Sequence, residues 1–413
     1  MPLGRYTFPV TVIKIFMFKR SITAIAGVLI VSVTYSQKLI SASDAVSLAV
    51  KNSKNISAAS LSVKQQQQLL NSAINLPNPE LFLEAPTGNF YTPSVTQSIE
   101  FPTVYGKQYQ LQKQYIGLAE KEKALTEAEV KLQVNQLYLL LQYAEALQNQ
   151  LYGQDTIYES ISKSAGRQFD AGQIDYLQKT FAETQYGEIH NQYIQVRQNV
   201  NAFKNQLQYI TALPDSIIAD PLNIFTYSLS DFEASYDSAA LLTNPSIQIS
   251  KQTENIEQKN IELQKSKALP GLAFGYFNQG EKSTPVGNRF RFGLTVPLWF
   301  WQYKSNISAA KTALEVSQQK TGGLQQQLTV QLIQAKSELN ANTQSLKYYQ
   351  TSGNTKATQI ITTAKRFLDN GQSDYINYLR NINDAYSIQL KYIEAIKNYN
   401  QSIITIQYLT GSL

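Results

Sequence analysis

The chain has 413 residues, 43% of them hydrophobic and only 16% charged, with a formal net charge of +6, enough apolar material for a sizeable core. It contains no cysteine, one histidine and two methionines, which excludes a disulfide framework or thiol chemistry and leaves few ligands for a transition metal. Its lysines are spread along the sequence rather than gathered into a basic block, so the positive balance does not point to nucleic acid.

Residues 1–36 read as an export signal. Lys19 and Arg20 precede an apolar run from Ile22 to Val33, and Thr34 and Ser36 place small residues before a cut at Gln37. The run is about a dozen residues, short of the ~20 that a spanning helix needs. No cysteine follows it, which argues against an N-terminal lipid anchor.

A helix is expected from Ser41 to about Ile74, started by a serine or aspartate cap. Its counterpart later in the chain starts near Thr243 and runs to Lys267, and both end at a Leu-Pro pair, Leu76-Pro77 and Leu269-Pro270. After each comes a short β-type stretch. In the first, Leu81 to Leu83 leads through a Gly88-Asn89 turn to a strand in which Val95, Ile99 and Phe101 alternate with polar neighbours. In the second, Leu272 to Phe277 leads through a turn from Gly280 to Asn288 into a strand with Phe290, Phe292, Leu294 and Val296 on one face. Arg291, Gly293 and Thr295 take the other face. One apolar and one polar face fit a strand of a transmembrane barrel, with lipid outside and water inside. Trp299, Phe300, Trp301 and Tyr303 crowd the end of the last strand, as interfacial aromatics do.

All 13 prolines fall outside Thr103 to Leu213 and outside Leu298 to Leu413, leaving two long stretches free of helix breakers. Within them apolar residues recur at three-and-four spacing: Leu137, Leu140, Ala144, Leu147 and Leu151 in one, Leu328, Leu332, Ala335 and Leu339 in the other. This is coiled-coil periodicity. A helix of about 60 residues from Pro102 to about Ala165 spans on the order of 90 Å, so the body is elongated.

The chain also repeats itself. Shifting Ala165 to Ala212 by about 199 positions lays it on Ala364 to Gly411 without a gap, and pairs Arg167 with Arg366, Gly172 with Gly371, Gln173 with Gln372, Asp175 with Asp374 and Tyr176 with Tyr375. Each copy reads as a helix end, a tight turn at the glycine, and a new helix capped by the aspartate. The resulting division is 1–36 signal, 37–213 first repeat, 214–243 inter-repeat segment and 244–413 second repeat. Four strands per chain cannot close a barrel, whereas three chains supply twelve. The fold class expected is mainly α with a small β part: a tandem repeat of long coiled-coil helical hairpins, plus β-hairpins that complete a trimeric 12-stranded transmembrane barrel.

With the stretches from Phe169 to Gln178 (FDAGQIDYLQ) and from Arg366 to Leu379 (RFLDNGQSDYINYL), and the strand-to-helix prolines Pro102 and Pro297, the chain resembles the TolC-type outer-membrane efflux proteins. The resemblance covers nearly the whole mature chain. It implies a homotrimer in the lipid of a Gram-negative outer membrane, extending into the periplasm as a helical tunnel. That duct would passively conduct what an inner-membrane pump and a periplasmic adaptor protein deliver. It implies that the turns at Gly172, Gln173, Gly371 and Gln372 are periplasmic tips that dock the adaptor. Family members often carry an aspartate six residues after the tip glycine; here Gln178 and Asn377 stand there, so Asp175 and Asp374 are the nearest acids for lining the entrance, unless they only cap helices. Val95, Ile99, Phe101, Phe290, Phe292, Leu294 and Val296 would face the barrel exterior.

No catalytic constellation and no cofactor or metal site is expected, and His190 reads as a solvated residue. The alternative reading is a periplasmic coiled-coil structural or adaptor protein without a pore.

Overall fold

The structure, a computed structural model, describes residues 38–84, 92–214, 217–226, 238–278 and 285–413. The export segment at residues 1–36, the Gly88-Asn89 turn and the first part of the turn from Gly280 lie outside the described residues.

The first repeat begins with a short strand β1 (Lys38–Ile40) and two helices, α1 (Ala42–Asn52) and α2 (Lys54–Ser72). One helix was expected here. Ser53 interrupts it: its backbone is extended (φ −63, ψ 122) and its hydroxyl accepts from the Ile56 N–H at 3.3 Å, so it ends α1 and caps α2. Strands β2 (Glu80–Glu84) and β3 (Thr92–Ile99) follow, then α3 (Pro102–Asp170), with proline in its first turn where no N–H is required, and the return helix α4 (Tyr176–Thr211). At 69 residues α3 outruns its expected end at Ala165 and is on the order of 100 Å long.

After a 3-10 turn (Ser238–Thr243) at the end of the inter-repeat segment, the second repeat opens with α5 (Pro245–Lys267), capped by Asn244, whose side chain accepts from the Ser246 N–H. Strands β5 (Gly271–Phe277) and β6 (Phe290–Thr295), helix α6 (Phe300–Tyr348), helix α7 (Asn354–Asp369) and the return helix α8 (Tyr375–Leu409) complete it. Helices α6 and α7 form the expected single long helix, but a π-helical turn at Tyr349–Gly353 interrupts it. A side chain at Gly353 would press on the Tyr349 ring at 2.9 Å and lie near Ile388, so the turn seats two tyrosines in edge-on contact, Tyr348 and Tyr349, over a residue with no Cβ.

Helix α3 packs against α2 and α5, and α5 against α6, giving a lateral order α2–α3–α5–α6. The sheet above runs β2–β3–β5–β6, antiparallel throughout. Each strand therefore passes into the helix layer in the same order, and both layers end in an open edge, β2 with α2 on one side and β6 with α6 on the other.

Between sheet and hairpin ends a parallel pair, β1 with β4 (Ile217–Ala219), ties the inter-repeat segment to the first repeat. Tyr138 on α3 fixes it, donating to the Ile40 carbonyl at 2.7 Å and accepting from the Asp220 N–H at 2.8 Å; burial pushes its phenol up to about 12. Asn400 on α8, fully buried, accepts from the Phe225 N–H and donates to the Asn223 carbonyl. The segment is thus bonded to both repeats, and its backbone groups at Asp220, Asn223 and Phe225 find side-chain partners there.

Candidate functional site: the sheet face and the hairpin tips

The register sorts the sheet's side chains into two faces. Leu81 pairs with Val95, Val95 with Tyr276 and Tyr276 with Phe290; the next rows align Gln97, Phe274 and Phe292, then Ile99, Leu272 and Leu294. Paired residues point the same way, so one face is apolar apart from Gln97. The opposite face carries Glu80, Ser94, Thr96, Ser98, Gly271, Ala273, Gly275, Arg291, Gly293 and Thr295, interrupted by Phe82 and Phe277.

The apolar face is bare. Leu81 is 80% exposed, Phe292 80% and Leu294 69%, and the ring pairs Phe274–Phe292 and Tyr276–Phe290 pack across strands at 5.7 and 5.4 Å. Contiguous apolar exposure on this scale does not persist against water and marks a surface that meets lipid or protein. The eight residues of β3 extend for about 27 Å at ~3.4 Å each, close to the ~25 Å apolar band of a membrane barrel.

Of the residues expected on this face, Val95, Ile99, Phe290, Phe292 and Leu294 share it. Phe101 and Val296 do not lie in strands. Phe101 is the N-cap residue of α3, and Val296 follows the end of β6. Leu83, Leu272, Phe274 and Tyr276 belong to the face as well; their every-second-residue spacing in β2 and β5 carried the same signal.

At the far end of the hairpins the two tips have one backbone. Gly172 and Gly371 both have φ +70, and open space surrounds the position of a Cβ at each. The Gly172 N–H bonds the Phe169 carbonyl and the Gln173 N–H the Gln168 carbonyl; in the second tip Gly371 bonds Leu368 and Gln372 bonds Phe367, all at 2.8 to 3.0 Å. This pairing closes a helix through a left-handed glycine and satisfies its last carbonyls.

Both aspartates then start the return helices. Asp175 Oδ1 accepts from the Gln178 N–H at 2.8 Å, Asp374 Oδ1 from the Asn377 N–H at 2.7 Å, and Asp374 Oδ2 also takes the Asn377 side-chain amide. Both are exposed, as are Gly172, Gln173, Gly371, Gln372 and Asn377, while Gln178 is half-buried. The carboxylates cap, and an N–H donor leaves their charge uncancelled.

His190 is not simply solvated. Its Nδ1 lies 3.0 Å from Asp155 Oδ1 across the first hairpin, and its ring 5.5 Å from that of Tyr186 one turn earlier on the same helix. No helix among the described residues is long and apolar enough to cross a membrane.

Residues 238–412 match the family model described as "Outer membrane efflux protein". No curated protein matches the sequence. Among solved structures, the CmeC outer membrane channel of Campylobacter jejuni is 16% identical, with 90% of this chain and 85% of that one covered at a TM-score of 0.70. CusC, described as undergoing transmembrane channel formation, is 13% identical over 93% of this chain and 95% of its own, at 0.74. The outer membrane protein VceC of Vibrio cholerae is 10% identical over 90% and 96%, at 0.72. The chain thus matches the outer-membrane efflux protein family in its second repeat, and along both repeats it has the fold of the TolC-type outer-membrane channels.

Proposed function

We propose that three copies of the chain assemble into the outer-membrane exit duct of a tripartite efflux or secretion system. A 12-stranded barrel would lie in the lipid of a Gram-negative outer membrane, and the helical hairpins would line a tunnel into the periplasm. The observation that carries this reading is a four-stranded sheet with two open edges and one bare apolar face, standing on helices laid out in the same order. Open edges are not tolerated in hydrocarbon. Because the strand count is even, β6 of one copy meets β2 of the next antiparallel, and a cyclic arrangement removes every edge. In this reading Val95, Ile99, Phe290, Phe292 and Leu294 meet lipid, with Phe101 and Val296 at the strand-to-helix border.

The tips at Gly172, Gln173, Gly371 and Gln372 are the adaptor-docking end, and the adaptor links the duct to an inner-membrane pump. Asp175, Gln178, Asp374 and Asn377 line the entrance, where the capping carboxylates bring up to six negative charges in the trimer. The segments 37–213 and 244–413 act as the two structural repeats, joined by 214–243, and residues 1–36 direct export.

Two measurements on the same preparation test the reading. The protein should leave washed membranes only with detergent, and the purified protein should give stepwise conductance in planar bilayers. Release by salt alone, with silent bilayers, would favour a periplasmic coiled-coil protein without a pore.

A further inference from the structure

Just below the sheet, the start of α6 carries a groove of about 450 Å³ lined by Pro297, Phe300, Tyr303, Lys304, Ile307 and Lys311, among others. We infer that it holds an acidic phospholipid of the periplasmic leaflet, with acyl carbons on its apolar wall and the headgroup phosphate between Lys304 and Lys311; this rests on the membrane reading of the sheet.

The lining positions recur every three or four residues and make one stripe of the helix. Phe300, Tyr303 and Ile307 supply its apolar wall next to Pro297, which directly follows Val296 and the apolar sheet face. The groove is thus continuous with the surface that meets lipid. Lys304 and Lys311, seven residues apart, lie two turns apart, about 10 Å along the axis, and both are exposed.

Neither lysine makes an ion pair among the described residues, whereas Lys107 and Lys259 both bond Glu262, at 2.8 and 2.9 Å. No acidic residue occurs from Trp299 to Leu314. A second groove of about 460 Å³ shares Pro297 and Tyr303 and adds Ile99, Val296 and Trp299, with one carboxylate, Glu100, and Lys267 from the last turn of α5. Aromatic side chains beneath an apolar band, with unpaired lysines one step further out, match the order of chemistry met on leaving the hydrocarbon for an acidic headgroup.

The only two tryptophans, Trp299 and Trp301, have ring centroids 5.2 Å apart at this border and report on it. The full chain is reconstituted in phosphatidylcholine vesicles containing equal fractions of dibrominated phosphatidylglycerol or dibrominated phosphatidylcholine, and quenching is compared. The acidic lipid should be preferred about fivefold or more, falling to near onefold in Lys304→Gln/Lys311→Gln, while neutral-lipid quenching stays unchanged. Equal quenching of the unmodified chain by both lipids would overturn the site and leave the sheet in the membrane. No quenching by either would overturn the membrane reading itself. Excess inorganic phosphate, against chloride of equal ionic strength, should leave the preference intact; its loss would assign the lysines to free phosphate and overturn the lipid assignment.

Discussion

The two hairpins share a backbone and differ in what they bury. Their turns coincide down to φ +70 at Gly172 and Gly371 and the aspartate caps three residues on, yet the first tip displays Tyr176, 69% exposed, and Leu177, 65% exposed, while Tyr375 and Ile376 at the second are half-buried. The cause lies in the return helices. Where α4 carries Lys179, Glu183 and Gly187, α8 carries Tyr378, Ile382 and Tyr386. These side chains pack with Tyr158, Ala165 and Ala182 of the first hairpin, and Tyr375 reaches to within 3.4 Å of Ser164. Duplication kept the signals that shape a turn, which act within a few residues, and changed the face that decides which hairpin leans on the other.

The largest contrast should come from truncating equivalent positions. Ile382 is 1% exposed, so Ile382→Ala should cost about 2 to 5 kcal/mol. Its counterpart Glu183 is exposed and makes one Lys179 contact at 3.8 Å, so Glu183→Ala should stay within about 0.5 kcal/mol. Chemical denaturation of the two variants measures this, and equal losses would mean that the hairpins are packed alike.

A titration should report the buried face of α8 next. Burial pushes the Tyr386 phenol up to about 12, against about 10 in an unfolded chain. The folded state holds that proton more tightly, so its contribution is whole below about pH 10 and is lost as pH rises through about 12. Tyr386→Phe should reduce the alkaline fall in the urea midpoint over that window. An unchanged alkaline profile would place the titration elsewhere in the molecule.

The tips themselves should respond equally. Gly172→Val and Gly371→Val each force a β-branched residue into left-handed backbone, at a cost of about 1 to 2 kcal/mol. Markedly unequal costs in denaturation would show that the shared turn is supported differently in the two hairpins.

What was legible in the sequence follows the range of the forces involved. Gly172, Gly371 and their aspartates act over four to six residues, and the alternation of Phe290, Phe292 and Leu294 is fixed by the pleat, so both could be read directly. The parallel pair β1–β4 is three residues long and joins Ile40 to Ala219, too short a run to carry a period. The break at Ser53 turns on a serine whose sequence also suits a helix interior, and the π turn at Tyr349–Gly353 depends on where Ile388 of another helix lies. Phe101 and Val296 follow the strand alternation, but they fall where each strand hands over to its helix.

Copies of this chain should close on one another through the edges β2 and β6. Because the chain has no cysteine, disulfide trapping tests this against a clean background. Single cysteines along residues 80–84 are combined with single cysteines along residues 290–295, for example Phe82→Cys with Gly293→Cys, and each pair is oxidised in intact membranes. At least one register should yield a covalently closed trimer, with no larger species. Monomers in every register, or an open-ended ladder beyond three, would contradict it.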